Sequence, residues 1–161
     1  MTREEFKALW GIDELIISPG NATHYVMADV RYKGGSLLLH FDLYTEAEVY
    51  AMGDDLFRQL KEKLPALDDY AQNIISEKQM NWNDVEVKLS EIRMRKPYKD
   101  NEGFYHCFAL TYYGGEFYDD DCYDDNDELI DDSCPDLLLM NVCFDENFVF
   151  ADAFNETEMI D

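Results

Sequence analysis

The strongest constraint on what this chain can become is a run of alternation between residues 25 and 44. Val26, Ala28, Val30 and Tyr32 alternate with Tyr25, Met27, Asp29 and Arg31. Beyond Lys33-Gly34-Gly35, Leu37, Leu39, Phe41 and Leu43 alternate with Leu38, His40, Asp42 and Tyr44. Successive side chains of a strand point to opposite faces, so period two on both sides of a glycine pair predicts a β-hairpin whose turn needs positive φ. One face of it is apolar and must be covered. The cover follows in the chain. Thr45-Glu46-Ala47-Glu48 has capping-box spacing, and Val49, Met52, Leu56, Leu60 and Leu64 recur at helical spacing. Gly53 weakens that helix slightly. The residue before a proline avoids the α region, so Leu64-Pro65 predicts a break, and Leu67, Tyr70, Ala71 and Ile74 predict a second helix over 66–78.

Elsewhere the signals are shorter. Thr2-Arg3-Glu4-Glu5 is another capping box, Phe6, Leu9 and Trp10 share a helical face, and Gly11 supplies a stop, which predicts a short N-terminal helix. Leu15-Ile16-Ile17 reads as a brief strand ended by Ser18-Pro19-Gly20-Asn21. Residues 79–84, with Trp82, form a connector, and the alternation from Val85 to Arg95 predicts one or two strands, with a helix over 84–92 as the other reading. Phe104 to Tyr113 predicts a strand, Gly114-Gly115 a turn, and Glu116-Phe117-Tyr118 the start of the return. Leu137 to Phe144 and Phe148 to Phe154 predict a last hairpin about Asp145-Glu146-Asn147, with residues 155–161 frayed. Two consecutive amphipathic helices after a hairpin point to α+β architecture. The expectation is a single domain over 1–161, an antiparallel sheet with helices 46–64 and 66–78 packed on one face.

Length and composition agree with one core: 161 residues, 47% apolar, 14% aromatic. The net charge of −23 is divided unevenly. Residues 1–99 hold all 13 Lys and Arg against 17 acids, whereas residues 100–161 hold 19 acids and no Lys or Arg. That asymmetry argues against nucleic acid and anionic membrane as direct ligands of the C-terminal part and favours a basic protein as partner. No segment reaches the roughly 18 apolar residues of a spanning helix, and MTREEFKALW is charged where a signal peptide is apolar, so a cytoplasmic location is expected. Cys107, Cys122, Cys134 and Cys143 have no CxxC spacing and read as small apolar residues or idle thiols, with a Cys122–Cys134 disulfide as the other reading.

The charge is densest in Glu116 to Asp136, where 21 residues carry eleven carboxylates and no Lys or Arg. Such a block repels itself and stays solvated unless something cationic meets it. A calcium loop wants oxygen ligands at its first, third and fifth positions, glycine at the sixth and glutamate at the twelfth. Counting from Asp119 puts Tyr123 fifth; counting from Asp124 puts Leu129 sixth and Pro135 twelfth. Neither register works, and no metal or cofactor is expected. His24, His40 and His106 lie on different predicted strands, and no nucleophile elbow or phosphate loop is present. His40 and Asp42 share a strand face, which gives the one enzyme or small-molecule alternative, a pocket near His40, Asp42 and Tyr44. Lys88, Arg93, Arg95, Lys96 and Lys99 form a cationic cluster expected to neutralise part of the acidic half.

Phe117, Tyr118, Tyr123, Leu129 and Ile130 interleave with the acids, and aromatic anchors inside a charged rim are the anatomy of an interface hot spot. The candidate partner-binding residues are Glu116, Phe117, Tyr118, Asp119, Asp120, Asp121, Tyr123, Asp124, Asp125, Asp127, Glu128, Asp131 and Asp132. Catalysis is not expected. A nucleic-acid mimic that occupies the groove of a DNA- or RNA-binding protein is a second binding reading. The hairpin, the two helices with Ala71 to Ile75, the Trp82 connector and the closing Val142–Phe144/Phe148–Phe154 hairpin resemble a loose group of small acidic bacterial proteins. Some members of that group are similar to immunity proteins encoded beside polymorphic toxins. The resemblance implies a cytosolic inhibitor that masks the active site of a toxin, often a basic nuclease.

Overall fold

The alternating runs at 25–44 pair as the sequence demands. In the computed structural model, β2 (Tyr25–Tyr32) and β3 (Gly35–Asp42) are antiparallel, with Tyr25 opposite Asp42 and Tyr32 opposite Gly35. Lys33 and Gly34 close the hairpin at φ 48° and 77°, the positive values a two-residue turn needs to match strand twist. The structure describes residues 1–19, 24–78, 87–99, 105–117, 120–131 and 136–159. The remaining elements are α1 (Arg3–Trp10), β1 (Ile16–Ile17), α2 (Glu46–Ala51), α3 (Asp54–Glu77), β4 (Lys88–Lys99), β5 (Tyr105–Phe117), β6 (Asp136–Phe144) and β7 (Phe150–Met159).

The strands form one seven-stranded sheet in chain order, β1 to β7, so the fold is α+β as expected. It is not antiparallel throughout. The β3–β4 pair is parallel, Leu38 beside Glu91 and Phe41 beside Met94, while the other five pairings are antiparallel. The connection permits it: the chain leaves the end of β3 through two helices, and parallel neighbours need a crossover of about a dozen residues or more.

The helices differ from expectation in where they break. Both expected capping boxes form, Thr2 with Glu5 and Thr45 with Glu48. The break, however, falls at Met52–Gly53, with Gly53 at φ 88°, and α3 then runs unbroken through Pro65. Pro65 removes one amide and crowds the carbonyl of Lys61, which generally costs about 3 kcal/mol inside a helix. Pro65 and Lys61 are both exposed, so the break in the hydrogen-bond ladder falls on the outer side of the helix. On the other side, Phe57, Leu60, Leu64, Leu67, Ala71 and Ile75 are buried along one continuous stripe. Fully burying each large apolar side chain contributes roughly 1.5–3 kcal/mol, so the stripe outweighs the proline.

That stripe packs in one cluster with the strand residues Val26, Ala28, Val30, Leu37, Leu39, Phe41, Ile92, Met94, Phe108, Leu110, Tyr112, Met140, Val142 and Phe144. Two aromatic groups fill its ends. Phe6 meets Phe57 at 5.2 Å and Phe41 at 5.9 Å between ring centres. Phe108 stacks on Phe144 at 5.4 Å, with Phe148 edge-on to Phe108 at 5.8 Å.

The second glycine pair does not turn the chain. β5 continues through Gly114-Gly115 to Phe117, with an irregularity in its pairing to β6 between Tyr113 and Glu116. A Cβ on Gly114 would stand 2.8 Å from Met140 Cε and 3.1 Å from Leu138 Cδ2. Glycine lets the side chains of Met140 and Leu138 come close there, and any larger residue would make them shift, a use strands make of glycine at bulges. The return strand is β6, and β7 extends to Met159 opposite Asp136, so most of the tail expected to fray is paired. Residues 79–86 lie outside the described residues, and with them the connector and the start of the 84–92 alternative; from Lys88 onward the chain is strand.

Candidate functional site

The acidic stretch leaves the sheet at the end of β5 and rejoins it at β6. Glu116 and Phe117 are therefore strand residues, opposite Leu137 and Asp136. Tyr118, Asp119 and Asp132 lie outside the described residues. Asp120–Cys122 form a short 3-10 turn, after which Tyr123 bridges Leu129 in an antiparallel sense. Between them is a built turn. The Asp124 amide donates to the Glu128 carbonyl at 2.9 Å, and the Asp127 amide donates to the Asp124 carbonyl at 3.0 Å. Asp124 Oδ1 accepts from the amides of Asn126 at 2.9 Å and Glu128 at 3.0 Å. Asp127 takes φ 60°, a left-handed position that aspartate tolerates better than most residues. The Ile130 amide donates to the Cys122 carbonyl at 2.8 Å and closes the base.

The turn is thus held by its own backbone and Asp124 hydrogen bonds. One oxygen of Asp124 is occupied by two amides and turned into the turn. Asp121, Asp125, Asp127, Glu128 and Asp131 are exposed around it. Among the described residues, no group of three or more His, Cys, Asp or Glu is placed to hold a metal. Tyr123, Leu129 and Ile130 remain 38%, 43% and 65% exposed. An ordered platform therefore carries apolar side chains in water, ringed by carboxylates. Bridged residues have their side chains on the same side, which places Tyr123 beside Leu129.

The alternative centre at His40 is not assembled as expected. His40 and Asp42 do share a face, but His40 Nδ1 lies 2.9 Å from Glu91 Oε1 on the neighbouring parallel strand. Arg93 Nε donates to the same oxygen at 3.1 Å. Burial works to raise the Glu91 pKa, but His40 and Arg93 outweigh it and hold the carboxyl below its ordinary range. Tyr44 is on the other side, buried against Phe41 at 5.9 Å between ring centres, with its hydroxyl pushed up to about 12, chiefly by burial. His40, Asp42 and Tyr44 therefore do not line one pocket. The cationic cluster also finds closer partners than expected: Lys96 pairs with Glu48 at 2.6 Å, and Arg93 with Glu91. These described pairings lie within residues 1–99.

One buried carboxylate escaped the sequence reading. Asp68 is 2% exposed and accepts from the hydroxyls of Tyr112 and Tyr32, from Gln72 Nε2 at 3.1 Å and from Lys33 Nζ at 3.3 Å. Burial opposes its charge, but these four donors overcome the penalty and its pKa is lowered. Tyr112 is shifted the opposite way, strongly upward, by burial first and then by Asp68. The signal was present in the sequence: Asp68 follows Leu64 by four residues and precedes Ala71 by three, on the apolar face of the helix. Asp68 also lines a cavity of about 340 Å³ with Lys33, Gln72 and Lys88. Tyr32 and Lys33 from the β2–β3 hairpin and Tyr112 from β5 tie α3 to the sheet through Asp68, while Gln72 bonds it from within the helix, so this is a structural hub.

Cys107 is buried, its thiol pushed up to about 11 by burial and then by Glu146 and Asp145, so it is an inert thiol rather than a nucleophile. Cys134 lies outside the described residues, and with it the Cys122–Cys134 pairing. Compared with known proteins, the chain matches no family model, no curated protein and no solved structure.

Proposed function

We propose that this chain is a non-catalytic, acidic protein-binding module that engages a basic protein through the turn at 120–131. The observation that carries the reading is the exposure of Tyr123, Leu129 and Ile130 on a turn held rigid by Asp124, inside a rim of carboxylates. A preformed surface loses little conformational entropy on docking, apolar anchors supply affinity, and the surrounding charge steers a cationic partner to the site. The resemblance to immunity-type proteins gives this reading its biological form, an inhibitor of a basic toxin such as a nuclease. Such an inhibitor works in the cytoplasm, and among the described residues no helix is long and apolar enough to cross a membrane.

The test separates charge from shape. The basic protein that co-purifies from native cells is identified, purified and titrated against the wild type and against a chain with Asp121, Asp125 and Asp127 changed to Asn. Asp124 is left intact because it builds the turn. The reading expects affinity to fall steeply between low and physiological salt, the triple variant to bind about ten-fold more weakly or worse, and Ile130→Ala to weaken binding at all salt concentrations. Unchanged affinity of the triple variant sinks it.

A further inference from the structure

We propose that the outer edge of β7 receives an extended basic segment of a partner protein as an additional strand of the sheet. The two edges of this sheet are unequal. β1 is two residues long, which is one of the ordinary ways to blunt an edge. β7 is ten residues long, and among the described residues no strand pairs with its outer side. Alternate residues of an antiparallel edge strand point both N–H and C=O away from their neighbour, so a long edge is a template for another chain.

The beginning of β7 is protected and the remainder is not. Cys143 and Phe144 register with Asp152 and Phe150, which leaves Ala151 as an extra residue, and the Asp152 carboxylate accepts from the Ala153 amide at 2.8 Å. From Ala153 to Met159 the register against Val142 to Asp136 is one to one. That stretch contains no Pro, Lys or Arg. Seven residues at about 3.3 Å each give an edge of roughly 23 Å, ample for strand addition.

Charge decides the occupant. β7 carries Asp152, Glu156 and Glu158 with no cation, and its far end lies opposite Asp136, where the acidic stretch rejoins the sheet. A second copy of this chain would set acids against acids, and like charges facing across strands are destabilising. A strand alternating basic and uncharged residues meets the same edge with opposite charge. The inference rests on the reading of a basic partner but not on the turn as the contact.

The probe is a short synthetic peptide of alternating lysine and threonine, with a control of the same sequence N-methylated at alternate residues. N-methylation keeps the charge and removes the donors that strand addition needs. Amide hydrogen exchange is followed by NMR on the full chain. The unmodified peptide is expected to slow exchange within 153–159 by about ten-fold, and the methylated one to leave it unchanged. Equal effects of both peptides, protection confined to other residues, or none at all overturns the proposal. Protection of β7 that appears on concentrating the chain alone assigns the edge to a second copy and also overturns it. Repeating the titration on the chain with Asp121, Asp125 and Asp127 changed to Asn separates edge from turn. Persistent protection at 153–159 upholds the edge even if the turn proves irrelevant, and loss of it there hands the binding to the turn and overturns the edge.

Discussion

Two turns in this molecule are built alike and used differently. Asp124–Glu128 and Asp145–Val149 share their hydrogen bonds one for one. In the second, the Asp145 amide donates to the Val149 carbonyl and the Phe148 amide to the Asp145 carbonyl, both at 3.0 Å. Asp145 Oδ1 accepts from the amides of Asn147 at 2.8 Å and Val149 at 3.0 Å. The fourth residue is left-handed in both, Asp127 at φ 60° and Phe148 at φ 63°. What differs is that residue's side chain. Asp127 is exposed, whereas Phe148 packs on Phe108 and lies under Lys63 Nζ at 4.5 Å. A leading aspartate with asparagine two residues on suffices to make the turn. Tertiary packing alone accounts for a phenylalanine in a backbone region that bulky residues avoid.

The largest expected effect tests that packing. Phe148→Ala should lower stability by about 2 kcal/mol, less than a fully buried phenylalanine because the ring is half-buried, read from the urea midpoint at unchanged slope. Phe148→Gly should be less damaging than Phe148→Ala by about 1 kcal/mol, because glycine removes the left-handed penalty. A larger loss for glycine breaks the account. Next come the leading aspartates. Asp145→Ala strips two amides of their acceptor where the turn joins β6 to β7 and should cost about 1–2 kcal/mol globally. Asp124→Ala removes the same bonds from a turn outside the sheet. It should leave the global midpoint nearly unmoved while speeding exchange of the Asn126 and Glu128 amides. Equal global losses would show that the acidic turn is part of the cooperative core. Asp127→Gly is smaller and opposite in sign, a gain of about 0.5 kcal/mol, measured as slower exchange of those same amides.

The smallest effect concerns a carboxylate that, like Asp124, caps backbone. Glu48 is hydrogen-bonded by Lys96 and completes the capping box with Thr45, and its pKa is lowered from an ordinary 4.5 to about 2. A depressed folded-state pKa contributes stability that is present above 4.5 and lost as pH falls through about 2. Glu48→Gln should therefore flatten the acid limb of a stability–pH curve within that window. An unaltered limb counts against the Lys96 contact.

How much of this was legible depended on whether the deciding force was local. The Lys33-Gly34 turn, the two capping boxes and the closing hairpin follow from signals within a few residues, and all are present. Gly114-Gly115 looks the same on paper as Gly34-Gly35, yet one pair serves packing by Met140 and Leu138 and the other serves φ. Nothing near Gly114 in the chain announces the methionine that will press on it. Pro65 misled in the same way, because the stripe that keeps α3 whole gains its energy from strands far away in sequence. The parallel pairing of β3 with β4 was implied by two intervening helices, whose length favours a crossover. At the candidate site, the acids and interleaved apolar residues were visible, but Asp124 as the residue that orders them was not. The spacing of Asp124 and Asn126, repeated at Asp145 and Asn147, was the available clue.

A sheet whose strands follow one another in chain order can be assembled as it is synthesised. Each new strand from β5 onward lies against the one made just before it, and the longest connection among them is the acidic stretch between β5 and β6. The exception is the parallel join of β3 to β4, which must wait for both helices and carries the largest loop-closure entropy in the sheet. Once it forms, a cation-bearing half is in place before most of the acidic half leaves the ribosome. The carboxylates of the second half fall mostly in its connecting segments rather than in β5, β6 and β7, so those strands add to an existing edge with little charge of their own to oppose it.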